Sequence, residues 1–168
     1  MAKFDSLMKA TFNPPRNWTL LEDLKFYSDK LDIVSATMLR DCDVQVRNST
    51  KTSQYIITVP KGYITDMASV PRACWMFIAP FDVARAAVIH DLLYKNIRQY
   101  RWTWREDEIR EPKLELERIF RAKEISDKIF LCAMNDSEPE VPSYKKNPAY
   151  WAVKVFGNSS IIPTKDNI

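Results

Sequence analysis

Two segments of the chain repeat apolar residues at the spacing of an amphipathic helix, about 3.6 residues. The first is Val83–Ile97, for which Asp82 is a candidate N-cap. The second is Lys113–Met134. The predicted inner positions are Ala86, Ile89, Leu93 and Ile97 in the first helix, and Leu116, Ile119, Ala122, Ile125, Ile129 and Ala133 in the second. We therefore predict two long helices that each turn one face to the core.

Shorter runs upstream of these helices predict strands. Leu24–Tyr27 fits a strand, and Tyr55–Val59 is rich in β-branched residues and stops at a proline. Leu39–Arg47 alternates apolar and polar residues, with Cys42, Val44 and Val46 on one face. A turn signal lies between the last two runs, so Arg40–Arg47 and Gln54–Val59 are expected to form a hairpin.

The remaining segments are rich in proline or charge. Residues 1–19 contain two adjacent prolines that exclude a helix interior, and we predict an irregular arm. Tyr100–Pro112 holds Trp102 and Trp104 before a run of mixed charge, and is expected to be a surface excursion. Three prolines after Asn135 predict that residues 136–168 are an extended tail. A single globular domain then comprises residues 20–135.

The order of the elements favours one fold class. Predicted strands come first and predicted helices follow, which disfavours a parallel βαβ design. We predict an α+β fold in which a small N-terminal antiparallel sheet packs on two long helices. Extended N- and C-terminal arms flank this domain.

Composition narrows the class of protein. The chain has 168 residues, of which 46% are apolar, enough for one domain with a real core. Its net charge is only +3 and it has no block of Lys and Arg, so we expect no nucleic acid partner. Three well-separated cysteines argue for a reducing compartment. No apolar run approaches the roughly 20 residues of a membrane span, so we expect synthesis in the cytoplasm and no membrane span.

Four residues are candidates for a functional site. His90 is the only histidine, Asp91 follows it, Asp66 lies in the preceding loop, and Asp127 lies on the second helix. Polar groups framed by apolar residues are usually half buried and then need partners, so we expect Asp66, His90 and Asp91 to meet. Asp127 would join them from the second helix. His90 and Tyr94 share a helix face, whereas Asp91 points about 100° away.

Several kinds of chemistry compete for these residues. A zinc site needs more His or Cys ligands than the chain offers at motif spacing. Asp66, Asp91 and Asp127 with His90 could instead hold Mg²⁺ or Ca²⁺, although we expect no cofactor. Ser69 could be a nucleophile, or His90 could act alone as a general base oriented by an aspartate. The alternative that we favour is a buried hydrogen-bonded cluster with a structural role.

Aromatic residues are candidates for contacts with other proteins. Trp102 and Trp104 could equally pack over the helix pair. For the segment around Tyr150, Trp151 and Phe156 we favour docking on a neighbouring subunit, because three prolines separate it from the second helix. The alternative is a strand that closes on its own domain.

Three motifs carry a resemblance. They are P-K-G-Y-I-T-D-M-A-S-V-P-R at 60–72, A-A-V-I-H-D-L-L-Y at 86–94, and I-S-D-K-I-F-L-C-A-M at 125–134. Together they resemble a bacteriophage and prophage domain family of unknown function. Its pattern falls here on Thr65, Asp66, Ser69, Pro71, His90, Asp91, Tyr94 and Asp127. Met67 and Ser126 stand where that pattern usually has smaller residues, and the segment between the two helices is longer.

The resemblance implies a phage origin and no particular activity. We expect a structural protein of the virion, in the tail, neck or baseplate, that contacts other virion proteins in a multi-subunit assembly. The alternative is a phage-encoded hydrolase acting on the host cell envelope, with His90 as base and Asp66, Asp91 or Asp127 as orienting group or metal ligand. A third possibility is a non-virion factor that acts in assembly or on the host.

Overall fold

Two antiparallel sheets and four helices form the described part of the chain, which in this computed structural model comprises residues 3–50, 52–66, 83–106, 112–137, 140–165 and 167. The strands are β1 (Lys3–Phe4), β2 (Ala10–Asn13), β3 (Asn17–Leu20), β4 (Leu24–Ser28), β5 (Val46–Asn48), β6 (Tyr55–Val59) and β7 (Ile64–Thr65). The helices are α1 (Ile33–Asp41), α2 (Ala84–Glu106), α3 (Pro112–Asn135) and α4 (Ser143–Ser160). The predicted α+β class is confirmed.

The larger sheet has the strand order β1-β4-β6-β5. Its central pair, β4 and β6, runs antiparallel from Leu24↔Val59 to Ser28↔Tyr55. Side chains alternate between the faces of a strand, and in β4 the alternate residues Leu24, Phe26 and Ser28 are buried. The predicted strands at Leu24–Tyr27 and Tyr55–Val59 are therefore confirmed.

The predicted strand over Leu39–Arg47 is confirmed only at Val46 and Arg47, because Leu39–Asp41 belong to α1 and the residues between are not in a strand. The Asp32 side chain caps this helix by accepting a hydrogen bond from the backbone N–H of Ser35 at 2.6 Å. The predicted hairpin is present but shorter than expected, since only β5 pairs with β6. Buried residues on the predicted inner face are Cys42, Val44 and Val46. Burial raises the pKa of the Cys42 thiol to about 12, so this thiol stays protonated at neutral pH.

The N-terminal segment, expected to be an irregular arm, is instead paired into both sheets. β1 pairs with β4, while β2 and β3 form a hairpin in the smaller sheet, whose order is β2-β3-β7. The two prolines lie between Asn13 and Asn17, which face each other across the hairpin. The rings of Phe12 and Trp18 also pack across it, with centroids 5.0 Å apart. The prolines therefore lie in a turn between two strands, and the prediction of an irregular arm is wrong.

The two predicted long helices are confirmed as α2 and α3. The inner stripe predicted for α2 is fully buried, as are Ile119 and Ala122 of α3. α2 continues to Glu106, so the prediction of a surface excursion over Tyr100–Pro112 is wrong for Tyr100–Glu106. The predicted N-cap, Asp82, lies outside the described residues. None of the helices described here is long and apolar enough to cross a membrane.

The expected extended arm at the C-terminus is corrected by α4, which packs on α3. Pro142 occupies its N-cap, where a missing N–H costs little, and Pro148 lies inside the helix. The buried residues recur at helical spacing: Ala149, Ala152, Val153 and Gly157. The prolines favour an extended tail and the apolar spacing favours a helix, and in the structure the spacing prevails.

Candidate functional site

A cluster of buried polar side chains surrounds Asp127 of α3. The Nε2 atom of His90 lies 3.1 Å from Oδ1 of Asp127, and the Tyr94 hydroxyl donates to the same oxygen at 2.7 Å. The Lys123 ammonium donates to Oδ2 at 2.8 Å. All four side chains are buried, with His90 and Asp127 only 1% exposed. We refer to these four residues as the Asp127 cluster.

Helix spacing explains how the sequence assembles this cluster. His90 and Tyr94 are one turn apart on α2, and Lys123 and Asp127 are one turn apart on α3, so each pair shares a face. The two faces meet where α2 packs on α3. Apolar groups complete the surroundings, since the His90 ring lies 4.9 Å from the ring of Phe130 and 4.0 Å from that of Tyr94.

The cluster keeps its carboxylate charged although it is buried. Burial by itself opposes ionisation of Asp127, but the hydrogen bond and charge of His90, with the hydrogen bonds from Lys123 and Tyr94, outweigh it. The pKa of the Asp127 carboxyl therefore lies below its ordinary value. Burial, and secondly the charge of Asp127, raise the pKa of the Tyr94 hydroxyl, which remains a donor. Lys123 supplies the opposite charge, so the cluster contains a buried ion pair.

His90 uses only one of its ring nitrogens in this network. Nε2 faces the charged oxygen of Asp127 and so carries the proton of that hydrogen bond. Nδ1 is buried and has no hydrogen-bond partner among the residues that the structure describes. The cluster thus orients His90 through its Nε2 atom, as a carboxylate orients a catalytic or structural histidine.

α4 closes the cluster on its third side. The Lys123 ammonium also donates to the backbone carbonyls of Val153 and Lys154, each at 3.2 Å. One turn further along α4, Gly157 lies against the cluster: a Cβ there would overlap the Tyr94 hydroxyl oxygen and come within 3.1 Å of Cε of Lys123. Only glycine permits this close approach of the α4 backbone.

Two arginines of α2 hold the C-terminal end of α4. Arg98 donates to the carbonyl of Ser160 at 3.0 Å and to that of Asn167 at 2.8 Å. Arg101 donates to the carbonyl of Ile161 at 3.4 Å. Cations near a helix C-terminus also interact favourably with the helix dipole. With Lys123, three cationic side chains therefore fix α4 through backbone carbonyls.

Asp91 and Asp66 lie apart from this cluster. Asp91 points to another side of α2, as its position in the helix predicts, and accepts a hydrogen bond from the Thr65 hydroxyl of β7. Asp66 is exposed. Burial raises the pKa of Tyr63, and the negative charge of Asp91 adds to this effect. Of the four predicted site residues, His90 contacts Asp127, Asp91 contacts β7, and Asp66 lies at the surface. The candidate nucleophile Ser69 lies outside the described residues.

The aspartates that were candidates for cation ligands lie in different surroundings: Asp127 in the Asp127 cluster, Asp91 beside Thr65, and Asp66 at the surface. No group of three or more His, Cys, Asp or Glu residues in that part is arranged to hold a metal ion. Both oxygens of Asp127 are occupied by donors from the protein.

The aromatic residues singled out in the sequence fall on two helices. Trp102 and Trp104 belong to α2, and the Trp102 side chain is partly buried. In α4, Tyr150 is partly buried against the core, whereas Trp151 and Phe156 are 57% and 60% exposed. Trp151 and Phe156 of α4 are therefore the largely exposed side chains among those of these residues that the structure describes.

Lys123 and Gly157 belong to this site but are not among the residues predicted from the sequence. The chain has only two glycines, and a glycine among apolar residues at helical spacing is a signal of close packing. The other glycine, Gly62, has a φ of +82° that favours glycine for conformational reasons.

The fold and the site define an α+β domain whose helices are joined by a buried His–Tyr–Lys–Asp cluster. A family model described as "Protein of unknown function (DUF1353)" matches residues 37–153, from α1 into α4. The match covers more than half of the chain, and the chain belongs to this family. The expected membership of a domain family of unknown function is thereby confirmed. No curated protein and no solved structure matches the chain.

Proposed function

We propose that this protein is a structural component of a bacteriophage virion, in the tail, neck or baseplate, and works through protein–protein contacts. The observation that carries the proposal is the outer face of α4, where large apolar side chains lie in solvent. Tyr144 is 70% exposed and Val155 is 58% exposed, and both lie on the same side of α4 as Trp151, whereas the exposed Phe156 lies on another side. Exposed apolar residues grouped in this way mark interaction sites more often than scattered ones do.

The attachment of α4 supports the same proposal. Lys123, Arg98 and Arg101 bind its backbone, and its inner face packs on α3. A helix fixed in this way holds its outer aromatic side chains in place before a partner arrives. Less conformational entropy is then lost on binding, so a given contact area gives higher affinity.

The burial of the Asp127 cluster favours a structural role for it. A general base must come within hydrogen-bond reach of a substrate, and His90 and Asp127 are closed off from solvent. A hydrogen-bonded polar network in a core specifies how the elements pack, which suits a protein whose task is to present a surface. The phage assignment itself is supported by the three motifs described above.

The proposal predicts that the protein is present in purified particles of the phage that encodes it. Quantitative mass spectrometry across a density gradient should find it at a constant ratio to the major capsid protein. A phage protein of DNA replication, which is equally abundant in infected cells, serves as the control and should be lost. Absence from the particles would contradict the proposal and favour the non-virion factor.

A hydrolase acting on the host cell envelope is the second candidate, and one observation favours it. Nδ1 of His90 has no hydrogen-bond partner among the described residues, and a general base needs a ring nitrogen that is available to accept a proton. On this reading His90→Ala abolishes release of fragments from isolated cell walls and leaves the melting temperature nearly unchanged. We expect the opposite: no hydrolysis by the wild-type protein, and a clear drop in melting temperature for His90→Ala, because Asp127 loses a donor.

A further inference from the structure

We infer that the outer face of α4 docks on a second copy of this chain, in a groove between α1 and α3, so that copies join head to tail. This inference rests on the proposed function, since it names the partner of the same face. Three features carry it: the shapes of the two surfaces, the sign of the charge that each leaves unpaired, and their positions on opposite sides of α3.

The groove lies where α1 packs on α3 and has a volume of about 260 Å³. Its lining residues are Met38 and Asp41 of α1 with Leu114, Glu117, Arg118 and Arg121 of α3. Leu114 is 49% exposed, and Val34, one turn before Met38 on the same side of α1, is 61% exposed. The groove therefore offers apolar contacts as well as charged groups.

The α4 surface has the opposite shape. Tyr144, Trp151 and Val155 are separated by seven and four residues, so they form one line along the outer side of the helix. The Trp151 side chain projects from this line and is 57% exposed. An apolar cavity of about 150 Å³ holds a benzene molecule. The larger groove consequently has room for the ring of Trp151.

The charge that the groove leaves unpaired is negative. Arg118 forms an ion pair with Glu115 at 2.9 Å, and Arg121 forms one with Glu117. Each guanidinium of the groove thus has its own carboxylate. The Asp41 carboxylate forms no hydrogen bond and no ion pair with any residue that the structure describes. Asp41 is also the last residue of α1, where the helix dipole adds to its negative field.

The cationic residues next to the groove are directed elsewhere. Arg40 donates to the backbone carbonyl of Val46 and to the side chain of Asn48, both in β5. Lys113 precedes Leu114 and lies about 100° from it around α3. Asp41 therefore supplies the unpaired charge that an occupant of the groove meets.

The charge that the α4 surface leaves unpaired is positive. The ammonium of Lys154 lies 4.9 Å from the centroid of the Trp151 ring and has no carboxylate partner in the described ranges of the chain. Lys145 and Lys146, in contrast, both have partners within the chain. α4 contains no acidic residue, so Lys154 sets the sign of the charge beside Trp151.

The two surfaces lie on opposite sides of α3. Arg121 lines the groove, whereas Lys123 donates to backbone carbonyls of α4. These residues are two positions apart, which is about 200° around a helix. One copy can therefore offer its α4 surface to one neighbour and its groove to another.

Charge and position together select head-to-tail contact. Two α4 surfaces face to face would bring Lys154 against Lys154, two grooves would bring Asp41 against Asp41, and like charges across an interface oppose association. An α4 surface in a groove instead brings Lys154 to Asp41, and Trp151 to the apolar side chains and guanidinium groups of the groove. Such a heterologous contact leaves a free surface at each end, so copies add until a ring closes or a filament forms.

Zero-length cross-linking of the purified protein tests this contact, because a carbodiimide joins a lysine amine directly to a carboxylate that it touches. A mixture of heavy-isotope-labelled and unlabelled chains separates contacts between copies from contacts within one copy. We expect a cross-link between Lys154 and Asp41 that combines the two labels. Lys146 and Glu140 pair within the chain, so their cross-link is the control and should not combine the labels.

Charge reversal with rescue gives the quantitative test, with the dissociation constant of self-association measured by sedimentation. Lys154→Glu or Asp41→Lys alone should weaken association about tenfold, because each places like charges together. Both changes in one chain should restore association, because the pair is then reversed. Lys61→Glu, between β6 and β7, is the control and should have little effect. All three positions are exposed, so the melting temperature should stay near that of the wild type.

The outcomes separate this inference from the proposed function. Trimers and larger species support head-to-tail contact, whereas a wild-type chain that stays monomeric or stops at a dimer contradicts it, as does a failure of the reversed pair to restore association. Cross-links in purified particles from Lys154 only to other virion proteins would overturn the inference alone. A monomer that binds phosphatidylglycerol vesicles through α4 would make a membrane surface the occupant and overturn it too. Self-association of a protein that is absent from particles contradicts the proposed function alone.

Discussion

Replacing Asp127 with alanine is expected to lower the free energy of unfolding by about 4 kcal/mol, because the Lys123 ammonium is left buried without its counter-charge. The same change removes the acceptor of the His90 and Tyr94 hydrogen bonds. Urea denaturation at pH 7, followed by circular dichroism, measures the loss. Glu124→Ala, at an exposed position of the same helix, is the matched control and should change the stability by less than about 0.5 kcal/mol.

The pH dependence of stability gives this prediction a second readout. Since the pKa of Asp127 is lower in the folded chain than its ordinary value of 3.8, its contribution is fully present above that value. The contribution is lost as the pH falls below it, through the pKa of the folded state. The stability difference between wild type and Asp127→Asn should therefore shrink on acidification below about pH 4. A loss of under about 1 kcal/mol at pH 7, for either variant, would contradict a buried ion pair at this position.

Gly157→Ala is expected to be the second most damaging change, although alanine is the better helix former. Its Cβ would overlap the Tyr94 hydroxyl, which is fixed by its hydrogen bond to Asp127. Either the hydroxyl leaves the carboxylate or α4 moves away from α3, and overpacking of this kind costs about 1–3 kcal/mol. We expect a net destabilisation of about 2 kcal/mol by thermal or urea denaturation.

A double-mutant cycle separates this clash from other effects of Gly157→Ala. Tyr94→Phe removes the hydroxyl oxygen with which the new Cβ collides, so Gly157→Ala should cost less in the Tyr94→Phe background than in the wild type. Asn158→Ala, at the next and exposed position of α4, is the control for changes in helix propensity. Equal costs in the two backgrounds would mean that Gly157 does not contact Tyr94.

Periodicity within single helices could be predicted from the sequence. The stripe of Ala86, Ile89, Leu93 and Ile97 is buried as expected, because a long amphipathic pattern has few alternative meanings. The same reasoning placed His90 and Tyr94 on one face with Asp91 on another. Lys123 and Asp127, four residues apart on α3, share a face by the same spacing. The pairing of residues within each helix could therefore be predicted from the sequence. The contact between the two pairs could not, because it depends on how α2 packs on α3.

Features that depend on competing local signals were not predictable in the same way. Around Leu39 a short helix with a strong Asp32 cap and a strand with clear alternation were both compatible with the residues, and the cap prevailed. In α4 the prolines argue against a helix, and the inner face of that helix is buried only by its contact with α3. Gly157 has a role that exists only in the packed structure, since it leaves room for the hydroxyl of Tyr94.

The central claim is that the outer face of α4 attaches this protein to a virion while the Asp127 cluster only holds the helix in place. The most direct test is incorporation into particles of a chain carrying Trp151→Ala and Phe156→Ala, measured together with its melting temperature. Both side chains are largely exposed, so we predict a nearly unchanged melting temperature and a loss of incorporation of about thirtyfold or more, as for interface residues worth about 2 kcal/mol. Incorporation at the wild-type level by this stable variant would contradict the claim.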